Sequence, residues 1–460
     1  MVLYVHLNIG IRSSCHKNMV RVFLKALFMF SFVSIQILMP SFAINNSSVD
    51  INFDDILRQA KAQSYDIKIA DFDVFIAKQG VRTARSEYFP KLNASIGTEY
   101  TKNFKDFSNS TVSVVGDAFI NPYTRFQSLM GITLSYNVFD FGVRKSKMDI
   151  AKEDIQLREL LEKEQFQELE LTMIDTYSKL YILKKQIEIN EEILELAKKN
   201  LEYKTRLFEA KEISKTELND QNIEVQKYER KLIELKSLAQ ESLNWLTFYT
   251  KQEYQLENLV VKELKKTNSD PMEFNDYTKS LTWLIQEKEV KKKELALNVA
   301  KKNNMPKVNA YSRYYLYGSD HSSYNRTLDD LGPSNYTIGA TVFMPIFDGF
   351  KNSAEIQTAN LELQQQLIKR DKAIAQFMTR LATMRTNFVY LNKQIEADEK
   401  LVDELSDKQK SVKKLVDKKI STPIDLNEVE IQLLEQQIEL EKNITTTIAI
   451  QKAIQALTAQ

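Results

Sequence analysis

The sequence has one cysteine, Cys15, and three histidines in 460 residues. Cys15 precedes the apolar segment of an N-terminal secretory signal, so the mature chain is expected to lack disulfides, thiolate metal sites and a cysteine nucleophile. His6 and His16 fall away with the same signal. His321 alone remains, in Ser319-Asp320-His321-Ser322-Ser323, which reads as a polar loop. A serine triad or multi-histidine metal site has no other histidine to draw on, so no enzyme, cofactor or metal is expected. Ten glycines and eight prolines leave little punctuation, so most of the chain must run in long elements. They also leave no phosphate-binding glycine-rich loop, so any energy input must come from a partner. Neither charge sign dominates: 63 Lys and Arg stand against 62 Asp and Glu, which argues against a basic nucleic-acid face. No mature segment has the run of about 20 apolar residues that a membrane helix needs.

The signal is read from a basic start at Arg21 and Lys25, an apolar core from Ala26 to Met39, Pro40, and the small-x-small site Ser41-Phe42-Ala43. The alternative is an uncleaved signal anchor, which the short core disfavours. Met19 stands where such a signal would begin, which marks residues 1–18 as a candidate misassigned start. Removing residues 1–43 takes away Arg12, Lys17, Arg21 and Lys25 and no acids, so 59 basic residues face 62 acidic ones, a net charge of −3.

The chain then repeats itself. Tyr88-Phe89-Pro90-Lys91-Leu92-Asn93-Ala94 returns as Asn304-Met305-Pro306-Lys307-Val308-Asn309-Ala310, 216 residues on. The segment from Gly131 to Asp140 returns from Gly339 to Asp348, and Glu212-Ile213-Ser214 returns as Lys419-Ile420-Ser421, at offsets of 208 and 207. A unit of this length is too long for a solenoid repeat and implies two similar halves. The halves are placed at 44–260 and 261–460.

Each half opens with a helix (54–87 in the first) and then switches to period two. Leu92, Ala94, Ile96, Thr98 and Tyr100 share one face of an expected strand at 91–101. Met130, Ile132, Leu134, Tyr136 and Val138 do so at 128–139, after a polar loop over 102–125. The second half repeats the pattern at 307–317 (Val308, Ala310, Tyr314, Leu316) and 335–346 (Tyr336, Ile338, Ala340, Val342, Met344). Strands of about 10 residues with one apolar and one mostly polar face have the length and alternation of membrane β-strands. Alternation alone also fits soluble hairpins packed on helices. Four strands cannot close a barrel, and lipid tolerates no open edge, so a membrane reading requires several copies.

From Val143 to Ala210 there is neither proline nor glycine. The stripe Phe166, Leu169, Met173, Tyr177, Leu180, Leu183 and Ile187 is spaced by threes and fours. After a turn at Lys211–Lys215, Leu218, Val225, Leu232 and Ala239 repeat every seven residues, with Tyr228 and Leu235 on companion positions. The second half has a long helix from Lys351, a turn at Lys418–Thr422, and Leu426, Leu433 and Leu440. The helices are expected over 143–246 and 351–458. Antiparallel helices of this length make a tube or rod. Ser214 and Glu217 fit a capping box, and Thr422, Pro423 and Asp425 fit a second cap. Glu428 lies one turn beyond Asp425 with no capping role. In a symmetric oligomer these acids could instead ring a pore mouth; capping and ring readings both stand at this point. The Asn-x-Ser/Thr sequons are consistent with chance in an Asn-rich chain.

In the ordered double set of strand starts, in Phe139-Asp140-Phe141-Gly142 and Phe347-Asp348-Gly349 at the strand-to-helix junctions, and in the Ile-Ser turns, the sequence resembles the TolC family of outer-membrane efflux proteins. The resemblance implies an α+β fold of two pseudo-repeats, each with a membrane β-hairpin and long coiled-coil helices. It implies a homotrimer in outer-membrane lipid, with a 12-stranded β-barrel continued by a periplasmic α-helical barrel. The implied partners are a periplasmic membrane-fusion adaptor and an inner-membrane ABC or resistance-nodulation-division pump, with no nucleic acid. Family position makes Asp425, Glu428 and Glu217 pore-entrance acids. It makes Lys211, Ile213, Ser214, Lys419, Ile420 and Ser421 adaptor-contact tips, with lysines where relatives often carry glycine; that departure leaves the type of adaptor open. With no lipid-attachment cysteine after the signal, type I secretion or a shared exit duct fits better than a lipidated drug-efflux member. The expected function is a passive exit duct for secreted protein, drugs or both. Its rival is a periplasmic coiled-coil adaptor without a pore.

Overall fold

The computed structural model describes residues 49–102, 113–115, 118–120, 125–266 and 276–458. The expected signal at 1–43 lies outside the described residues, as does most of the loop expected at 102–125.

The chain begins with β1 (Val49–Ile51), α1 (Phe53–Gln63) and α2 (Tyr65–Ser86). The single helix expected over 54–87 is thus broken. Ser64 leaves helical geometry (ψ 134°), its N–H still reaching the Ala60 carbonyl, so it ends one helix and starts the next. A hairpin of β2 (Lys91–Tyr100) and β5 (Phe126–Phe139) follows, with the short β3 (Ser113–Val115) and β4 (Ala118–Ile120) between. Then come α3 (Val143–Glu209), α4 (Lys215–Thr250), β6 (Leu259–Val261) and α5 (Leu281–Lys302). The second hairpin is β7 (Lys307–Asp320) and β8 (Gly332–Phe343), with the short α6 (Tyr324–Asp329) in its loop. The chain closes with α7 (Lys351–Asp417) and α8 (Pro423–Thr458).

The repeat is near-exact in the helices. α3 and α7 both have 67 residues, and α4 and α8 both have 36. Without proline or glycine inside them, α3 and α7 run uninterrupted for about 100 Å each. α4 extends to Thr250 rather than 246, β7 runs on to Asp320, and β8 stops at Phe343, short of Met344. The division expected at 260/261 falls inside β6. β6 pairs in parallel with β1, Val49 to Leu259 and Ile51 to Val261, so both strands belong with the first half.

α3 organises the helices. Its first third packs on α2 and α5; Arg158 reaches Asp73 at 3.4 Å, and Lys288 and Lys292 reach Glu153 and Asp154 at 2.9 and 2.6 Å. Its remainder packs on α4 and α8; Lys236 reaches Glu191 at 2.9 Å and Tyr181 donates to Glu441 at 2.9 Å. α7 lies against α5 early and α8 later. The helices therefore pack side by side in the order α2–α3–α5–α7 at one end and α4–α3–α8–α7 at the other.

The main core sits where these arrangements meet. Met173, Tyr177 and Leu180 of the predicted stripe are fully buried, with Phe53, Leu243, Leu246 and Leu264. Each such side chain contributes roughly 1.5–3 kcal/mol by leaving water. The Tyr177 hydroxyl lies 2.7 Å from the Lys262 carbonyl and 3.1 Å from that of Ile51, satisfying the ends of the β1–β6 ribbon. Along α4, Val225 and Ala239 of the seven-residue repeat and the companion Leu235 are buried in the same clusters as α3 residues. No described helix is long and apolar enough to cross a membrane.

Candidate functional site

The four long strands form one antiparallel sheet in the order β2-β5-β7-β8. Its register aligns the apolar alternations of all four strands. Leu92 pairs with Leu134, Leu134 with Ser312, and Ser312 with Ile338. Ala94 pairs with Ile132, Ile132 with Tyr314, and Tyr314 with Tyr336. One face is therefore mostly apolar across the sheet, with Ser312 as a polar member. The other carries rows such as Asn93-Thr133-Arg313-Thr337.

The apolar face points outward. Leu92, Ile96, Ile338 and Val342 are 68–71% exposed. Along β5, exposed Ile132, Leu134 and Tyr136 alternate with more covered Thr133, Ser135 and Asn137. Water would select the reverse arrangement. An outward apolar face with polar groups turned inward is the pattern of a strand that meets lipid. The sheet also ends in two unpaired edges, β2 and β8, with Pro333 at a bulge on the β8 edge. The inner face is aromatic as well as polar. The Tyr315 ring occupies the space a side chain on Gly131 would need, and Tyr311 does the same over Gly339. Arg313 lies 4.3 Å from the Tyr311 ring centroid.

The strand-to-helix junctions explain the Phe-Asp-Phe-Gly signature. Phe141 and Gly142 both have positive φ (55° and 83°), which turns the chain sharply into α3. Asp140 accepts from the Gly142 and Arg144 N–H groups, each at 3.1 Å, and from Arg144 Nε at 2.9 Å. This pair is buried, and Arg144 also donates to the Glu87 and Val138 carbonyls. It ties α2, β5 and α3 together. In the second half Gly349 and Phe350 take the positive φ, and Asp348 accepts from the Asn352 N–H at 2.9 Å. Asn352 stands where Arg144 stands in the first half, so that junction has a cap but, among the described residues, no ion pair of Asp348. The signal available for Arg144 was its spacing of four from Asp140 on an expected helix.

At the far end of the helices the two tips repeat one geometry. Lys211 and Lys419 adopt left-handed backbone, with φ of 63° and 61°. The next N–H in each case closes a six-residue turn: Glu212 donates to the Leu207 carbonyl and Ile420 to Leu415, both at 2.9 Å. This is a Schellman end, whose left-handed position favours glycine. After it, Ser214 accepts from the Glu217 N–H and Glu217 Oε2 accepts from the Ser214 N–H, both at 3.2 Å. Thr422 and Asp425 exchange the same pair of bonds, and Asp425 Oδ2 also accepts from the Ser421 and Thr422 hydroxyls at 2.6 and 2.8 Å. These donors, led by Ser421, hold the Asp425 carboxyl below the usual carboxylate range. Glu428 is exposed and makes no hydrogen bond or ion pair among the described residues. Asn427 donates to Asn200 at 2.7 Å, which places the α8 tip beside the end of α3. Ile213 is half-buried and Ile420 is exposed. The structure thus brings Lys211, Ile213, Ser214 and Glu217 together in one tip, and Lys419, Ile420, Ser421 and Asp425 in the other.

A comparison with protein families matches the outer membrane efflux protein family over residues 56–250 and 285–460. The chain belongs to that family. The efflux protein is accordingly an outer-membrane duct that extends into the periplasm, and not an enzyme. Homologous channels are trimeric and work with adaptors and inner-membrane pumps. Solved structures share the fold at low identity. The CmeC outer membrane channel of Campylobacter jejuni matches with a TM-score of 0.71 at 15% identity, over 93% of this chain and 95% of that one. The outer membrane protein VceC of Vibrio cholerae matches at 0.70 and 15%, over 88% of this chain and 96% of that one. The MtrE outer membrane channel of Neisseria gonorrhoeae, solved in its open state, matches at 0.64 and 14%, over 91% and 93%. No curated protein is significantly similar in sequence.

Proposed function

We propose that three copies of this chain close into a 12-stranded barrel, β8 of each pairing with β2 of the next, above a tube of twelve long helices. The observation that carries this reading is the inside-out sheet: an apolar face turned outward between two unpaired edges. Open edges are not tolerated in lipid, and closure removes them. The helices give the same message. α2 leaves Ile69, Phe72 and Ile76 exposed, and α7 leaves Leu361, Ile368 and Tyr390 exposed. These two helices are the opposite borders of the helical layer, so each apolar border has a complementary one on the next copy. The duct is passive, carrying secreted protein, drugs or both, and is driven by a pump through an adaptor at the tips. Glu428, with Asp425 and Glu217 behind it, is the acidic set at the entrance.

The test is extraction from outer membranes followed by electrophoresis with and without heating, and conductance in planar bilayers. A heat-labile trimer that forms discrete channels is the expected result. A monomer without conductance removes the reading and returns the pore-free adaptor.

A further inference from the structure

We propose that the end of α7, at the second tip, is a basic docking surface, and that the protein docked on it carries an acidic tip of its own. This rests on the reading of the chain as a duct whose tips meet an adaptor, and it names the chemistry of that adaptor. Lys413, Lys414, Lys418 and Lys419 crowd the end of α7, with Asp417 as the one acid between residues 408 and 419. At the neighbouring turn Lys211 and Lys215 alternate with Glu209, Glu212 and Glu217, so the basic excess belongs to the end of α7. All six lysines are exposed, and none has an ion-pair partner among the described residues. The Asn427–Asn200 bond sets both tips at the same end of the molecule.

Ordinary helix chemistry explains only part of this. Lysines in a last helical turn complement the helix dipole, which accounts for Lys414. It does not account for Lys211 and Lys419, which sit beyond their helices in a left-handed conformation that disfavours a side chain. The same strained choice is made at both tips, which points to a use for the ammonium groups. Beside Lys419, Ile420 is 70% exposed on a turn fixed by its own hydrogen bond to Leu415. A rigid apolar knob next to Lys418 and Lys419 fits a shaped protein socket with acidic walls. A lipid surface would need the charge but not the twice-built turn.

The test uses the full-length trimer, first recorded in planar bilayers, and three synthetic antiparallel helical hairpins that differ only in tip residues: glutamates, serines or lysines. Binding is measured by biolayer interferometry at low and high salt. The glutamate hairpin should bind at least about tenfold more tightly than the serine hairpin at low salt, and the advantage should shrink as salt rises. The variant K413E/K414E/K418E/K419E, with helix content checked by circular dichroism, should invert the order and prefer the lysine hairpin. Equal binding of all three hairpins overturns the proposal, as does an unchanged order in the variant. Binding to phosphatidylglycerol vesicles without discrimination among hairpins also overturns it. Loss of conductance in the wild-type protein would sink the duct reading instead, and the hairpin order would still report on the tips.

Discussion

Tyr315 lies directly across from Gly131, and its ring fills the space where a Gly131 side chain would stand. Tyr311 stands in the same relation to Gly339. In both cases a tyrosine on β7 covers a bare stretch of backbone on a neighbouring strand, on the inner face of the sheet. Gly131→Val should therefore cost about 1–3 kcal/mol by overpacking. Tyr315→Ala should largely relieve the clash in the double variant. Urea unfolding of the refolded protein in detergent measures both. Additive losses in the double variant would show that the ring moves aside freely.

The face assignment predicts a position-dependent cost. Lysine at Ile132 or Leu134 should cost about 2–4 kcal/mol near the bilayer midplane. Lysine at Thr133 or Ser135, on the inner face, should cost far less. Trimer yield from outer membranes reads the difference, and equal tolerance at both pairs would mean that the strands never meet lipid.

The two junctions predict unequal losses for the same substitution. Asp140→Ala leaves buried Arg144 without its partner, which should cost about 3–5 kcal/mol. Asp348→Ala removes only an exposed helix cap, at about 1 kcal/mol. Thermal unfolding of the two variants side by side checks the order, and equal shifts would remove the special status of the first junction.

What was legible in advance follows from what local chemistry controls. The absence of proline and glycine from 143 to 210 dictated α3 almost to the residue, and the period-two runs dictated which side chains share a sheet face. The caps at Ser214 and Thr422 were readable because capping is a contact over three residues. The β1–β6 pair was not readable: it joins three-residue strands some 210 residues apart, too short to show a period. The break at Ser64 was hidden because Ile56, Ala60 and Ile67 hold helical spacing across it and all three enter the same core. Left-handed backbone at Lys211 and Lys419 was concealed by residue type, since glycine is the usual marker.

Asp425 makes a pH prediction. Its carboxyl is held below the ordinary value by donors present only in the folded turn, Ser421 first. Its contribution to stability is thus complete above the unfolded aspartate value of about 3.9 and is lost as pH falls through the lower folded value. Acid should loosen this tip, and Asp425→Ala should remove that part of the acid response. Hydrogen exchange of amides 420–430 between pH 5 and pH 3 is the measurement; identical acid profiles for wild type and variant would exclude the cap as its source.

The three acids proposed for the entrance differ in their engagement. Asp425 and Glu217 are each engaged by their own helix start, whereas Glu428 is exposed and unengaged. In a trimer Glu428 recurs on three equivalent helices, and a ring of unengaged carboxylates attracts cations and binds divalent ions. Glu428→Gln should therefore weaken cation preference and divalent block in single-channel recordings. Asp425→Asn should change both much less, because the carboxyl is already engaged by Ser421 and Thr422 and asparagine can still accept from the Thr422 N–H. Trimer stability should survive in either variant. If Asp425→Asn alone abolishes selectivity while Glu428→Gln leaves it intact, the capped carboxylate is the one that faces the ion. If neither changes selectivity or block, both acids serve only their helices, and the entrance is set by other groups.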